Sequence, residues 1–390
     1  MQGKIINVLF ALLRNELFHE ELSEDTKNLI DSKLLLVLYK VSKKHDLGHL
    51  VGDALNKNGL LDLDSEIKSK FKKEINMAYY RYAKIQYEFE QICKVLEDEK
   101  IPFIPLKGSI IRQYYPEPWM RTSCDIDILV HEEVLEQTAQ LICDKLNYNC
   151  EKKKTINDLT FFTPSGVHIE LHYDLTEGEK YGNEVLKNIW NYTHASLDNE
   201  YRLLLNDDAF YYYHLSHMIK HFENGGCGIR PFLDLYFLNT KIEYDKQKRI
   251  ELVKKGGFEK FAVASEELAY AWFENKEISE LGKQMQIYVI TGGVYGNLNN
   301  RVRMQQAKHG SKFKYLLSRI FISNKELKLK YPKLEKRPWL TPFYHIVRWL
   351  KPLYHKETNS RSLDEFTKTS SVDKASRDES AKMLKELGLK

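Results

Sequence analysis

No stretch of this sequence is apolar for long enough to cross a bilayer. Its apolar runs are short, as in Leu34 to Tyr39, whereas a spanning helix needs roughly 20 residues. Asn7 interrupts the apolar segment Ile5 to Leu13, and Arg14-Asn15-Glu16 follows where small residues would mark a secretory cleavage site. That segment therefore reads as an amphipathic helix, and no membrane partner is expected. Cysteine is also scarce: Cys93, Cys124, Cys143, Cys150 and Cys227 are odd in number, and none forms a C-x-x-C. A disulfide framework or zinc knuckle is not expected, and reduced thiols in a cytoplasmic protein are. Charge of one sign is missing too. With 59 basic and 55 acidic residues the net charge is only +4, without the basic excess of a dedicated nucleic-acid binder. Nucleic acid is accordingly not an expected partner. Glycine and proline number 19 and 10, and no internal repeat occurs, which excludes low-complexity and collagen-like classes.

What remains is an ordinary globular composition, 43% hydrophobic and 29% charged. Its 390 residues suggest two or three domains. Residues 1–100 read as helical. Ile67, Phe71, Ile75, Ala78, Tyr82, Ile85, Phe89, Ile92 and Leu96 recur at steps of three and four, which predicts one long amphipathic helix over Glu66 to Lys100. The texture changes at Pro102. Ile101 to Leu106 suits an edge strand because of its prolines, and Ile110 to Tyr115 suits a short helix. Asp125-Ile126-Asp127-Ile128-Leu129-Val130 suits a strand, and Glu132 to Leu146 a helix. Tyr148 to Lys153 is a further expected strand. Thr160 to Thr163 and Val167 to Tyr173 read as a hairpin around Pro164-Ser165-Gly166. Helices return from 177 to 355. The polar segment 356–390 reads as a flexible tail with a short helix from Asp378 to Leu389. The expected division is thus 1–100 helical, 101–176 an α/β core, 177–355 helical and 356–390 a tail.

The acids of the core carry the chemistry. A strand's side chains alternate, so Asp125 and Asp127 project from one face while Ile126 and Ile128 enter the core. Two adjacent carboxylates repel and need a counter-charge, which a divalent cation with oxygen ligands supplies. The same alternation puts His168, Glu170 and His172 on one face of Val167 to His172. Upstream, Gly108-Ser109 offers a turn where backbone N–H groups can approach an anion. Lys107 and Arg121 flank these acids and suit triphosphate charge, Arg121 by a bidentate fork; for each, a surface ion pair is the plain alternative. Trp119 offers a face to a base, or simply packs. His214, His217 and His221 share one helical face. That spacing can chelate zinc, but no neighbouring cysteine or acid completes the set cleanly, so a cleft wall with Lys220, Arg230 and Asp234, or ordinary packing and hydrogen bonding, is the better reading. Thr291 to Gly296 is glycine-rich but follows no clear strand and reads as a loop.

The order of Lys107-Gly108-Ser109, then Asp125-Ile126-Asp127 on a strand, then Glu170 on a later strand resembles the nucleotidyltransferase superfamily related to DNA polymerase β. The spacing of 16 from Ser109 to Asp125 is longer than usual. Tyr115-Pro116 and the segment from Arg121 to Val130 resemble one bacterial family of uncharacterised nucleotidyltransferases often found near polysaccharide or peptide biosynthesis genes. His214 to His221 and Arg230 to Asp234 resemble its downstream helical part.

The resemblance implies an α+β fold: a nucleotidyltransferase-type mixed sheet flanked by N-terminal and C-terminal helical regions. It implies a nucleoside triphosphate, ATP in the first instance, bound over Lys107, Gly108, Ser109 and Arg121. One or two Mg²⁺ ions would be held by Asp125, Asp127 and Glu170, with Glu170 alternatively a base. His172, His217, Lys220, His221, Arg230 and Asp234 would line the cleft. The implied reaction moves AMP to a hydroxyl of a small-molecule or protein acceptor and releases pyrophosphate. A second reading is a non-catalytic nucleotide-binding or regulatory protein on the same fold. A third is an RNA-end nucleotidyltransferase, for which the basic run Lys325 to Lys336 is diluted by Glu326 and Glu335.

Overall fold

Period-two alternation in the acid-bearing segments builds a sheet with two unlike faces. The computed structural model describes residues 2–148, 150–176, 183–294, 296–322, 324–331, 333–354 and 372–389. Five strands, β1 (Ile104–Pro105), β2 (Asp125–Leu129), β3 (Lys153–Lys154), β4 (Asp158–Phe162) and β5 (His168–His172), form one sheet in the order β1-β2-β5-β4-β3. β2 and β5 are parallel, and the other neighbours are antiparallel. The sheet is therefore mixed, and with helical regions before and after it the α+β expectation holds. Ile126, Ile128, Leu159, Phe161, Ile169 and Leu171 form its buried face. That face packs on Ile85, Ile92 and Leu96 of the long helix and on Leu135, Ala139 and Ile142 of the crossover helix. The opposite face carries the acids.

The N-terminal helices are α1 (Gln2–Phe18), α2 (Glu24–Asn28), α3 (Ser32–Lys44), α4 (Gly48–Lys57) and α5 (Ser65–Asp98). Asp64 caps α5 by accepting from the Glu66 and Ile67 amides, a device worth about 1 kcal/mol. The core continues with α6 (Gly108–Ile111) and the crossover helix α7 (Leu135–Lys145). Next come α8 (Asn183–Lys187), a small ribbon of β6 (Thr193–Ala195) and β7 (Leu203–Leu205), then α9 (Asp207–Glu223) and α10 (Arg230–Thr240). α11 (Lys246–Gly256), α12 (Glu259–Phe273), α13 (Glu280–Gly292) and α14 (Leu298–His309) complete the main helical layer.

Four expectations change. α1 is buried on most of its surface, through Leu9, Leu12, Leu13 and Leu17, and is a core helix rather than an amphipathic one. The chain's last helix, Lys374–Glu386, buries Met383 and Leu384, with Leu387 and Leu389 beyond it, in the main core. Four apolar groups suffice to anchor a segment whose average composition is polar, so the end of the expected tail is packed. Residues 355–371 lie outside the described residues. Finally, Cys143 and Cys150 form a disulfide, while Cys93, Cys124 and Cys227 are free. The reversal after α7, with Asn147 at φ 53°, returns the chain so that the two Cα atoms are 6.0 Å apart. A spacing rule based on C-x-x-C does not see that turn. Of the expected strand Tyr148 to Lys153, which includes the undescribed residue 149, only Lys153 is paired, together with Lys154.

Candidate active site

Strand register decides which acids meet. In the parallel β2–β5 pair, Asp125 lies opposite His168, Asp127 opposite Glu170 and Leu129 opposite His172. Paired residues of neighbouring strands share a face, so the three acids and two imidazoles line up on the face away from the isoleucines. His172 Nε2 lies 2.9 Å from Asp127 Oδ1 and 3.4 Å from Glu170 Oε2. His168 Nδ1 is 3.4 Å from Glu170 Oε1.

Lys107 arrives from the sheet edge. β1 pairs with β2, and the Leu106 amide still donates to the Asp127 carbonyl at 3.0 Å. The chain then turns at Lys107, with φ 44° and ψ −119°. A lysine there is strained by roughly 1–3 kcal/mol. The turn delivers the ammonium 2.6 Å from Asp127 Oδ1 and 4.0 Å from Glu170 Oε2. Burial works against the charge on Lys107, but Asp127 outweighs it and holds the ammonium's pKa well above its ordinary value. Burial likewise works to raise Asp127, and Lys107 and His172 overcome it, so that carboxyl sits below its usual range. Hydrogen bonds from His168 and then His172 hold Glu170 far below its usual range. Asp125 goes the other way: burial, reinforced by the neighbouring Asp127 charge, pushes it up.

Across from this acidic floor stands a wall built by α9 and α10. Together they enclose a cavity of about 390 Å³ lined by Lys107, Gly108, Asp125, Asp127, Glu170 and His172 on the sheet side. On the helix side it is lined by Tyr213, His214, His217, Lys220, His221 and Arg230. His217 and His221 approach at 3.0 Å between their Nε2 atoms. Burial, and then Lys107, keep His217 well below the ordinary histidine pKa. His214 instead bonds the Pro231 carbonyl at 2.9 Å, which parts it from that pair. Among the described residues, the group with three converging metal-type ligands is Asp127, Glu170 and His172, all within 4.8 Å. The three helix histidines form no such group there.

Several expected residues take other positions. Arg121 lines the cavity, but its guanidinium holds Asp234, with Nη2–Oδ2 at 2.9 Å and Nε–Oδ1 at 3.3 Å. Tyr115 donates to the same carboxylate at 2.7 Å. Gly108 is required by this packing, since a Cβ there would sit 2.7 Å from Arg121 Nη1. Ser109 is not brought into the cavity wall. Its amide donates to the Leu106 carbonyl at 3.2 Å, and its hydroxyl is buried without a partner. Trp119 stacks on Tyr79, with ring centroids 4.1 Å apart, so the long segment before Asp125 folds back on α5. The glycines around 292 and 296 close against Gly225, where added side chains would collide with its backbone.

Some lining residues escape a sequence reading. Asp46, at φ 54° between α3 and α4, accepts from Thr122 Oγ1 at 2.7 Å and from Arg230 Nη1 at 3.1 Å. It ties the N-terminal helices to the wall, yet lies 184 positions from Arg230. Asp158, Asp174 and Tyr213 also line the cavity. The only sequence signal for Tyr213 was its place beside the histidine run.

Comparison with known proteins agrees with this geometry. Residues 35–274 match a family described as uncharacterised nucleotidyltransferase. The chain belongs to that family. No curated protein and no solved structure matches it. As a nucleotidyltransferase it uses a nucleoside triphosphate, and the buried Asp127–Glu170–His172 group suits a divalent cation. The donor chemistry fits: two carboxylates face each other in register, a third acid stands two residues upstream, and Lys107 already marks the place where positive charge is favoured.

Proposed function

We propose that this nucleotidyltransferase binds ATP in the cavity between the sheet and α9, and transfers AMP to a hydroxyl of a small-molecule or protein acceptor. The observation that carries the reading is the register of Asp127 against Glu170, with Asp125 two residues upstream and cationic side chains opposite. Asp125, Asp127 and Glu170 would hold the metal, which we take to be Mg²⁺; when bound it would screen phosphate charge and polarise a phosphoryl oxygen. His172 fixes the orientation of Asp127 through a 2.9 Å hydrogen bond and stands 3.4 Å from Glu170. Lys107, paired with Asp127, would be placed to meet the phosphates. Lys220 and Arg230 face the same space from the helix wall. Arg121 serves the site by holding Asp234 and thereby the position of α10.

The acceptor oxygen forms a bond to the α-phosphorus. The bond from that phosphorus to the bridging oxygen breaks, pyrophosphate leaves, and the hydroxyl proton passes to one of the three carboxylates. Proton removal by a positioned carboxylate is worth about 10²–10⁴-fold.

The test uses Asp127→Asn. Calorimetry with a nonhydrolysable ATP analogue should show binding to the native protein that needs Mg²⁺, and loss of that dependence in the variant. Pyrophosphate release over a panel of hydroxyl acceptors should fall by at least about 100-fold, with circular dichroism unchanged. Equal binding with and without Mg²⁺, together with an undiminished rate in the variant, would sink the reading.

A further inference from the structure

The next four helices after α14 are α15 (Lys312–Ile320), α16 (Asn324–Lys330), α17 (Lys333–Lys336) and α18 (Thr341–Tyr354). They already bury an inner side: Leu327 and Leu334 are fully enclosed, and Tyr331 packs on Tyr344 with centroids 4.5 Å apart. Their outer side is nonetheless apolar. Phe313, Leu317 and Ile320, at i, i+4 and i+7, form an exposed stripe on α15, and Phe313 is 68% exposed. Phe343, Ile346 and Leu350, at i, i+3 and i+7, form a second exposed stripe on α18. The stripes are joined. Trp349 Nε1 donates to the Ile320 carbonyl at 2.8 Å, and the Phe321 and Trp349 rings meet at 5.4 Å. Trp339, 75% exposed, stands at the start of α18.

The segment that carries these stripes is strongly basic. From Lys308 to Lys351 the sequence holds twelve lysines and arginines against two acids, Glu326 and Glu335. The segment carries +10 in a chain whose total is +4, so the remainder of the molecule is net acidic. Lys314, Lys328, Lys330, Lys333 and Lys336 are exposed.

Large apolar groups beside cations, with tryptophans at the boundary, are the signature of helices that lie in a bilayer interface. We propose that the α15–α18 face docks the protein on anionic phospholipid surfaces. The apolar stripes enter the headgroup boundary, and the surrounding lysines meet lipid phosphates. A nucleic acid would satisfy the lysines but leave the stripes in water. Two copies of this chain pairing through the same face would bring like charge against like charge. Residues 355–371 supply only Leu363 and Phe366 as large apolar groups, too few to cover both stripes. The absence of a spanning helix among the described residues concerns crossing a membrane and leaves lying on its surface open.

The experiment sediments the full chain with vesicles of phosphatidylcholine, with and without about one-third phosphatidylglycerol. Binding should be at least about tenfold stronger on the anionic vesicles and should weaken when salt rises from about 0.1 M to 0.5 M. Phe343→Ser combined with Ile346→Ser, both at exposed positions, should lower it by about tenfold or more, as should Lys330→Glu combined with Lys333→Glu. Asp127→Asn should bind vesicles like the native chain, which separates this inference from the catalytic reading. Equal partitioning to neutral vesicles, or binding that ignores the apolar variant, would overturn it. So would RNA binding that survives the apolar variant without any vesicle binding. A dimer that this variant dissociates, again without vesicle binding, would assign the face to a second copy instead.

Discussion

Replacing Lys107 by methionine tests whether an ammonium and a divalent cation share one place in the site. At 2.6 Å from Asp127 Oδ1, the gross attraction is about 6 kcal/mol at an effective dielectric of about 20. Desolvation offsets much of it. Removing one partner of a buried pair nevertheless costs about 3–5 kcal/mol, because the other charge stays behind unpaired. The lysine side chain keeps 21% of its exposure, which places the loss near the lower bound, about 3 kcal/mol. Unfolding entropy near 2.1 cal/mol/K per residue turns that into a fall in Tm of about 4 °C for a chain of 390 residues. Without its ammonium, the acidic group should take up Mg²⁺ or Mn²⁺ more tightly than the native protein does. At about 100 times Kd the ion returns about 2.7 kcal/mol, nearly the whole loss. Lys107→Gly removes the same charge but also relieves a positive-φ strain of roughly 1–3 kcal/mol, and should melt above the methionine variant. Calorimetric melting in EDTA and across a metal titration reads all three proteins. A methionine variant as stable as the native chain in EDTA, with no gain in metal response, would refute the reasoning.

Asp234→Asn should destabilise the protein by about 3–5 kcal/mol in urea unfolding, because Arg121 is left charged and buried beside Tyr115; an effect below 1 kcal/mol would mean that the pair does not anchor α10 (about 0–1 kcal/mol is the surface value). Glu16 offers a pH test away from the site. Burial pushes its carboxyl from an ordinary 4.5 up to about 7, although Lys57 bonds it. The folded state thus holds a proton more tightly than the unfolded one, so this group's contribution is complete below pH 4.5 and is lost as pH rises through about 7. Glu16→Gln should therefore raise stability at pH 8 and flatten the decline between those limits, by about 1–2 kcal/mol after allowance for solvent around Lys57. A variant less stable at pH 8 would reverse the sign of the argument.

The parts of the fold that could be read in the sequence are those whose cause is local. Apolar steps of three and four from Ile67 to Leu96 gave α5 to within two residues at each end, and the alternation around Asp125 gave β2. Pro164-Ser165-Gly166 gave the hairpin, closed by Gly166 at φ 80°. What resisted reading depends on partners far along the chain. Arg121 looks like a phosphate ligand until Asp234, 113 positions away, claims its fork. Asp46 has no local mark, since its role comes from Thr122 and Arg230. Ser109 shows a third limit. A Gly-Ser pair fixes composition but not the direction of its donors, and here the serine amide is already bound within the turn.

The same geometry bears on which cation the acids would take. His172 Nε2 contacts both Asp127 and Glu170, and burial of its ring is outweighed by these hydrogen bonds, which raise its affinity for the proton. An imidazole nitrogen that donates to a carboxylate, as Nε2 does to Asp127 at 2.9 Å, has no lone pair left for a metal. A softer ion that prefers nitrogen would have to strip that proton and break both contacts. A hard ion that prefers oxygen needs neither: it can draw on Asp125, which accepts no hydrogen bond from the described residues, while His172 keeps its neighbours in place. The hydrogen-bonding of one histidine thus favours a hard, oxygen-preferring cation on the acidic floor over one that prefers nitrogen.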